Sequence, residues 1–400
     1  MNSWSQYRIK DLGKFISTKT SDLTLPYIAL DNIVSWDAAF VSSESASDGN
    51  SVECEAGDVL FGKLRPYLAK GFITTEKSCC SSEFIVLRPN KDVVHNKYLL
   101  YYLLSITFIS YIKNLATGVK MPRTNWSQVG GSLISMPSLT EQEAIAAYLD
   151  KECEKIGRKI ELLERKADAY SRLRRSLINR AVTRGLDPNK TFKTSKSSIC
   201  TEIPSHWREK RIKDIFTEKS IKGYPNEPML CATQSKGVIP QSLYENRVVT
   251  AVSGLENMKL VDVGNFVISL RSFQGGIEYA YYRGIISAAY TILELDTNNS
   301  RDYFRHFFKS LSLIKLMKKC VTGIRDGQNI NYTTLKYEHI PVPPIDEQNE
   351  IAAYLDEKCA KIDAILEKIN TEVERLKELK RSLINEVVTG QRAIDTESRS

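Results

Sequence analysis

The feature that most constrains the fold is an internal repeat. The block EQEAIAAYLD at Glu141 to Asp150 returns as EQNEIAAYLD at Glu347 to Asp356, a shift of 347 less 141, or 206 residues. Residues 141–183 align with 347–389 without a gap, and by direct count 20 of the 43 positions are identical. Similarity of this extent at a fixed spacing indicates a duplicated unit. A chain of 400 residues is therefore expected to form two related halves, each with its own core.

The duplication also covers the start of each half, whereas the middles differ. The sequence Arg-Ile-Lys-Asp at 8–11 recurs at 211–214, each time four residues after a tryptophan, Trp4 or Trp207. Between these anchors, 81-SSEFIVLRP-89 resembles 287-SAAYTILEL-295 only loosely. A duplicated frame that holds two different inserts is expected if each insert recognises something different.

Each repeated block is predicted to form a long helix. Thr140 is a candidate N-cap with Glu143 three residues on, and Asp346 is the candidate N-cap in the second copy. The helices are predicted to end near Gly185 and Gly390. At a rise of about 1.5 Å per residue, either helix would be about 65 Å long.

Apolar residues recur every three or four positions along both predicted helices, a pattern typical of helices that pack lengthwise. Two matched stripes in one chain predict that the two helices pair with each other within the chain. The alternative is that each stripe packs on its own globular module, although a helix of this length would overhang such a module. The residues predicted to pair are Ile145, Leu149, Ile156, Ile160, Leu163, Leu173, Leu177, Ile351, Leu355, Ile362, Leu366, Ile369, Leu376, Leu379 and Leu383.

The inserts are predicted to be rich in strands, with short helices. The fold class is therefore α+β: two mixed α/β modules joined by two long helices, with an internal repeat. The predicted segments are modules at 1–139 and 204–344, long helices at 140–184 and 345–390, a polar, basic linker at 185–203 and a disordered tail at 391–400.

Composition excludes some classes of protein. No apolar run reaches the about 18 residues that a membrane span needs, and the first residues do not resemble a signal peptide, so a cytoplasmic location is expected. The eight cysteines are scattered, which predicts reduced packing residues rather than disulfides or zinc ligands. A net charge of +8 permits a polyanionic partner without demonstrating one.

No catalytic motif is convincing. Residues 57–63 fit G-x-x-x-x-G-K, but Leu64 stands where Ser or Thr would hold magnesium, and the interior is strand-like. Neither insert contains a convincing acidic cluster of a nuclease or a motif of a base methyltransferase, and Glu83 and Asp262 are interpreted as solvated or capping acids. The four histidines are too scattered to predict a metal site. The sequence predicts a non-catalytic recognition protein.

Several motifs resemble one family closely. They are the two E-Q-x-x-I-A-x-Y-L-D helix starts, the two R-S-L-I-N helix ends, 57-GDVLFGKLRPYLAK-70, the T-G-x-x-x-x-R-T-N-W segment at 117–126 and G-Q-N-I-N-Y at 327–332. Together they resemble the specificity subunits of type I restriction-modification enzymes over nearly the whole chain.

The resemblance implies a role without catalysis. Each module would be a target-recognition domain that reads one half of a split, asymmetric site in double-stranded DNA. The two long helices would pair as an antiparallel coiled coil, with an internal pseudo-twofold repeat, and would set the distance between the domains. Two methyltransferase subunits and two restriction and motor subunits would be the partners. No cofactor is expected on this chain, because S-adenosylmethionine, ATP and magnesium would belong to those partners.

Candidate DNA contacts combine positive charge with side chains that can pair with base edges. For any one of them, a solvated charge or a turn residue is an equally good interpretation. The candidates are Lys63, Arg65, Tyr67, Lys70, Lys120, Arg123 and Asn125 in the first domain, and Arg271, Ser272, Gln274, Tyr279, Arg325, Gln328 and Asn329 in the second.

Two other functions remain open. A protein-interaction scaffold could use the same paired helices and variable modules to bind proteins. An enzyme with an unrecognised active site would show turnover as an isolated chain.

Overall fold

The computed structural model describes residues 4–45, 50–244, 254–322 and 329–394. It divides into two compact units, residues 1–164 with 370–400 and residues 165–369. These units do not coincide with the predicted segments, because each contains one module together with part of both long helices. Within the described residues, no helix combines the length and the apolar character needed to cross a lipid bilayer.

The first unit contains one module and the start of the first long helix. Its strands are β1 (Ser5–Arg8), β2 (Gly13–Ile16), β3 (Lys19–Thr20), β4 (Tyr27–Ile28), β5 (Ser51–Cys54), β6 (Val59–Gly62), β7 (Gly71–Ile73), β8 (Ser78–Cys80), β9 (Phe84–Pro89) and β10 (Leu133–Met136). Its helices are α1 (Asn96–Leu103), α2 (Ile106–Leu115), α3 (Trp126–Gly131) and the first part of α4 (Leu139–Arg184). The strands form sheets in the orders β1-β10, β2-β9-β6-β7 and β3-β5-β8-β4.

The second unit contains the other module. Its strands are β11 (Phe192–Thr194), β12 (Glu202–Pro204), β13 (Arg208–Arg211), β14 (Phe216–Lys219), β15 (Leu230–Thr233), β16 (Gly237–Pro240), β17 (Lys259–Val261), β18 (Phe266–Ile268), β19 (Glu278–Tyr279), β20 (Gly284–Ile286), β21 (Thr291–Leu295), β22 (Val321–Thr322), β23 (Asn329–Ile330) and β24 (His339–Val342). Its helices are α5 (Ser272–Gly275), α6 (Arg301–Phe307), α7 (Leu311–Lys319), α8 (Tyr332–Leu335) and the first part of α9 (Ile345–Val388).

The two modules share a frame. The antiparallel sheet β2-β9-β6-β7 of the first has the same strand order as β14-β21-β18-β19 of the second. The antiparallel pair β1-β10 likewise corresponds to β13-β24. Helices follow the sheets along the chain, so the predicted α+β class is confirmed. The β6 strand is buried throughout, which agrees with the rejection of residues 57–63 as a phosphate-binding loop.

Each unit packs the beginning of one long helix beside the end of the other. In the first unit, Ile145, Leu149 and Cys153 of α4 share a buried core with Leu383, Ile384 and Val387 of α9. In the second unit, Ile178, Ala181 and Val182 of α4 share a core with Ile351, Leu355 and Cys359 of α9. Each module therefore holds the start of the helix that follows it and the end of the helix from the other copy.

The repeated tryptophans have the same structural role in both units. A Cβ added at Gly390, just beyond α9, would lie 3.3 Å from the Trp4 ring, and one at Gly185, just beyond α4, would lie 3.4 Å from the Trp207 ring. Both glycines have positive φ, 72° and 74°, as expected where a helix ends in a left-handed residue. The tryptophans thus pack on the helix ends of the opposite copy.

The residues predicted to pair along the helices differ in exposure. Leu173 and Leu379, equivalent positions of the repeat, are 46% and 52% exposed and lie outside the buried stripe. Ile178 and Ile384, which were not predicted, are buried instead. An α-helix has 3.6 residues per turn, so positions chosen by steps of three and four gradually move around the helix. At Leu173 and Leu379 the predicted positions no longer lie on the buried face. Of the others, Ile145, Leu149, Ile351, Leu355, Ile362, Ile369, Leu376 and Leu383 are buried, and Ile156, Ile160, Leu163, Leu177 and Leu366 are partly buried.

The predicted helix caps are wrong by one or two residues. The helix α4 begins at Leu139, and the backbone N–H of Glu141 donates to the Ser138 hydroxyl at 3.3 Å, so Ser138 takes the capping role predicted for Thr140. The helix α9 begins at Ile345, which places Asp346 inside the first turn. There its carboxylate can still interact favourably with the helix dipole.

The segments predicted as linker and tail are partly folded. In 185–203, the strand β11 pairs with β12, and Ile199 and Ile203 are buried in the second unit's core. The composition of 185–203 is mostly polar and predicted a linker. Ile199 and Ile203 nevertheless anchor the segment to the core. In the tail, Ile394 packs against the first unit's core, and residues 395–400 lie outside the described part of the chain.

A buried glutamine near the start of each long helix joins it to its module. The Gln348 side-chain oxygen accepts from the N–H of Ser300 at 2.8 Å, and its amide donates to the carbonyl oxygen of Pro343 at 2.9 Å. Gln142 makes the equivalent bonds to His95, at 2.9 Å, and Pro137, at 3.1 Å. These bonds satisfy polar backbone groups that burial separates from water.

We expect Gln348→Ala to lower the free energy of unfolding by about 2 kcal/mol, because it leaves backbone groups at this junction without partners. Urea denaturation of the purified chain measures the change. The exposed Gln274→Ala is the matched control and should change stability by less than about 0.5 kcal/mol. Equal effects of the two substitutions would contradict this role.

Candidate nucleic-acid interface

In the first unit, two separate stretches of predicted contact residues lie side by side. The backbone N–H of Arg65 donates to the carbonyl oxygen of Pro122 at 2.7 Å, and that of Thr124 donates to the carbonyl oxygen of Lys63 at 3.0 Å. Arg65 has φ of 48°, an uncommon backbone conformation for a residue other than glycine. The turn after β6 and the segment 117–125 therefore form one structure.

An acidic residue lies among these cations. The Arg123 guanidinium is 3.0 Å from the Glu83 carboxylate, and the two residues line a cavity of about 360 Å³ together with Lys63. Burial lowers the pKa of Lys63, while the nearby Glu83 carboxylate partly offsets this effect. Glu83, interpreted from the sequence as a solvated or capping acid, is partly buried and pairs with Arg123 at the cavity.

The predicted DNA contacts of the first domain differ in the exposure of their side chains and in whether those side chains already have hydrogen-bond partners. Lys70 donates to the carbonyl oxygen of Leu30 at 2.6 Å, and Asn125 accepts from the N–H of Gln128 at 3.0 Å as the N-cap of α3. These two side chains have structural roles. Tyr67, Lys120, Arg123 and Asn125 are exposed, and Lys63, Arg65 and Lys70 are partly buried.

In the second unit, the predicted contacts centre on the turn between β18 and β19. Arg271 is exposed directly before α5. Ser272 is only 2% exposed, and its hydroxyl accepts from the N–H of Ser269 at 2.8 Å, so the prediction that it contacts DNA is not supported. Arg325 and Gln328 lie outside the described residues, and the backbone of Asn329 belongs to β23.

Gln274 and Tyr279 line a cavity of about 750 Å³ in the second unit. Its wall also carries Arg174, Arg175 and Arg305, and the basic residues of the wall outnumber its two acids, Glu278 and Asp363. Arg174 is paired with Asp363 at 2.9 Å and Arg305 with Asp356 at 2.8 Å. These ion pairs offset the positive charges of Arg174 and Arg305.

A buried acid, Glu278, also lines this cavity. It is 3% exposed, and one carboxylate oxygen accepts from the Lys309 ammonium at 2.5 Å. Among the described residues, its other carboxylate oxygen is buried without a hydrogen-bond partner. Burial raises the pKa of Glu278 to about 7, and the attraction of Lys309 only partly offsets this.

Other titratable groups have structural partners. His306 is buried and lies 2.7 Å from the Asp356 carboxylate, and His206 lies 2.6 Å from that of Glu347. Burial lowers the pKa of His306, and the hydrogen bond to Asp356 opposes this shift. The eight cysteines are free thiols. Over the described ranges, no group of three or more acidic, histidine or cysteine side chains is placed to bind a metal.

Comparison with known proteins identifies the family. The model of the type I restriction modification DNA specificity domain matches residues 1–166 and, separately, residues 204–375. The chain belongs to this family. The MjaVIII type I restriction enzyme specificity subunit of Methanocaldococcus jannaschii is 22% identical over 97% of this chain and 92% of its own length.

Solved structures share the fold. A chain from a structural study of complex assembly and conformational transition of the type I R-M system has a TM-score of 0.71 and 19% identity, covering 98% of this chain and 99% of its own. The HsdS subunit from Thermoanaerobacter tengcongensis has a TM-score of 0.50 and 20% identity, with 98% of each chain covered.

In this specificity-family chain, sequence reasoning missed several residues at the candidate interface. Glu83 and Glu278 were not predicted because an isolated acid has no local pattern that marks its burial or its basic partner. Val119 and Met121, exposed between the predicted contacts Lys120 and Arg123, were also missed. The sequence marks them only as two apolar residues within a polar, glycine-containing turn.

Proposed function

We propose that this chain is the DNA-recognition subunit of a type I restriction-modification complex. Each module reads one half of a bipartite, asymmetric site in double-stranded DNA. The chain directs adenine methylation and restriction, which partner subunits catalyse. The observation that carries this proposal is the duplicated specificity domain, matched at both 1–166 and 204–375, with a shared frame and divergent inserts.

The contents of the two inserts support reading of two unlike half-sites. The first module presents Lys63 and Arg123 beside Glu83, with Arg65 in the turn that follows β6, whereas the second presents Arg271 and, at the wall of a basic cavity, Gln274. Arginine and glutamine side chains can each make paired hydrogen bonds to base edges in the major groove. Different side chains at equivalent places imply different preferred bases.

The long helices would separate the two readers. Within each unit the helices lie side by side, with ion pairs between Lys159 and Glu372 at 3.2 Å and between Arg174 and Asp363 at 2.9 Å. Continued as an antiparallel coiled coil, helices of about 65 Å could place two readers one or two DNA turns apart. A pseudo-twofold arrangement of this kind suits a split site with a fixed spacer.

The chemistry would be supplied by partners. Two methyltransferase subunits would bring S-adenosylmethionine, and two restriction and motor subunits would bring ATP and magnesium. The solved chain with a TM-score of 0.71 comes from a study of complex assembly in a type I R-M system, which supports assembly with other subunits here. Such a complex would act on cellular DNA, and we therefore propose a cytoplasmic location.

Co-expression with the methyltransferase subunit of the same system tests the proposal. We expect adenine methylation throughout the host DNA at one split motif with two unlike halves and a fixed spacer. A stable complex that gives no modification, with binding of other proteins instead, would favour the scaffold alternative. Turnover by the isolated chain would favour an enzyme with its own active site.

Arg65→Ala and Arg271→Ala should each relax discrimination in a different half-site. An arginine that pairs with guanine contributes about 1–3 kcal/mol, so we expect about 5-fold to 150-fold weaker preference at one position. Competition binding of the assembled complex to single-base variants of the mapped site measures this preference.

The control for both substitutions is Arg172→Ala, an exposed arginine on α4 that pairs with Asp168. It should leave both half-sites unchanged. If Arg65→Ala and Arg271→Ala weakened binding to every sequence equally, the two residues would be contacts to phosphates rather than to bases.

A further inference from the structure

The hairpin tip of the first unit, residues 117–123, exposes two apolar side chains. Thr117 and Arg123 exchange two backbone hydrogen bonds, of 2.9 and 2.8 Å, and Gly118 has φ of 100° in the turn between them. Val119 has a relative exposure of 104% and Met121 of 51%. Within the part of the chain that the structure describes, nothing covers Val119.

This hairpin tip is fixed to the module rather than attached only through its ends. The backbone of Arg65 bonds to Pro122, and Leu64 forms a β-bridge with Arg123. The N–H of Thr124, just beyond the tip, donates to the carbonyl oxygen of Lys63 at 3.0 Å. The sheet that contains β6 therefore supports the tip, which can bind a surface without first losing its own conformational freedom.

The side chains of the tip suit a surface that is both anionic and apolar. Lys120 lies between Val119 and Met121, and Lys63, Arg65 and Arg123 lie at the base of the hairpin. A DNA groove presents phosphates along its edges and apolar groups, such as the thymine methyl, on its floor. Apolar side chains of groove-binding proteins also enter between base steps. Charge complementarity therefore favours DNA over an apolar protein surface.

We propose that Val119 and Met121 enter a groove of the DNA and contact bases of one half-site, with Lys120 on a neighbouring phosphate. The tip thereby adds an apolar element of sequence recognition to the polar contacts of the first module. This inference rests on the proposed function, because it assumes that the first module reads DNA. The corresponding sequence position in the second module is Ile324, outside the described residues.

Val119→Ala and Met121→Ala in the full chain, assembled with its methyltransferase partner, test the inference. Competition binding is measured for every single-base variant of the mapped site. We expect the preference at one or two adjacent positions of one half-site to fall about fivefold to tenfold, while the other half-site is unchanged. Because both side chains are exposed, thermal unfolding should match that of the unsubstituted chain.

Leu133→Ala is the matched control, since Leu133 is an exposed apolar residue on β10. It should not alter base preference. Unchanged preference in both tip variants would overturn the inference, as would an equal loss of affinity for all sequences. Loss of methyltransferase binding by the tip variants would overturn it in favour of a protein interface. A wild-type complex without any sequence preference would instead refute the proposed function.

Discussion

Replacing Phe304 with alanine is expected to lower the free energy of unfolding by about 3–5 kcal/mol. Phe304 lies on α6 and is fully buried in the core of the second unit. Its ring centroid is 5.1 Å from those of both Phe216 and Tyr303, and both pairs have edge-to-face geometry. Alanine would leave a cavity among rings that cannot collapse without moving the sheet.

Urea denaturation of the full chain, followed by near-ultraviolet circular dichroism, measures this loss. Tyr282→Ala is the control, because Tyr282 is an exposed aromatic residue in the same unit and should cost less than about 0.5 kcal/mol when truncated. A loss below about 1 kcal/mol for Phe304→Ala would mean that the second unit's core is more loosely packed than the structure implies.

Local periodicity in the sequence predicted the long helices and the duplicated modules, but not which parts pack together. The stripe at Ile145 and Leu149 marks a helix face that will be buried. It does not reveal that Leu383, more than two hundred residues away, covers that face. In the sequence, Trp4 and Trp207 are recognisable only as repeated residues. The structure shows that each packs against the glycine at the end of a long helix. Contacts between the copies are non-local and leave no local pattern.

The candidate interface could be predicted where charge and turn chemistry coincide in the sequence. Lys63 and Arg123 belong to separate segments, yet the structure places both at one cavity. Prediction was less successful where a polar residue serves the fold. Ser272 and Asn125 have the right chemistry for base contacts, but their oxygens accept backbone hydrogen bonds. Turns and helix caps use the same residue types as base recognition, so composition cannot separate the two.

The burial of Glu278 predicts a pH-dependent stability. An ordinary glutamate has a pKa of 4.5, whereas burial raises the pKa of Glu278 to about 7. Below pH 4.5 the side chain is protonated in both the folded and the unfolded chain. Between pH 4.5 and 7 the unfolded chain loses this proton while the folded chain keeps it, so stability falls as the pH rises. The full difference is on the order of 3 kcal/mol.

Glu278→Gln should remove this contribution, since glutamine keeps an oxygen that can accept from Lys309 but does not ionise. We expect the stability of the variant relative to the unsubstituted chain to rise by about 3 kcal/mol between pH 4 and pH 8. Urea denaturation at several pH values measures both curves. The lowered pKa of His306 causes stability to fall with decreasing pH. This effect is the same in the variant and in the unsubstituted chain, so it cancels in the difference between their stabilities.

Glu357→Gln is the matched control in the same unit. Hydrogen bonding to Lys361 lowers the pKa of the exposed Glu357, so its titration lies below the range between pH 5 and pH 8. Its stability difference from the unsubstituted chain should be constant over that range. If Glu278→Gln also gave a constant difference, Glu278 would be ionised in the folded chain and its ion pair with Lys309 would outweigh the effect of burial. A rising difference would instead mean that Glu278 keeps a neutral carboxyl group near pH 6 in the folded chain, despite its contact with Lys309.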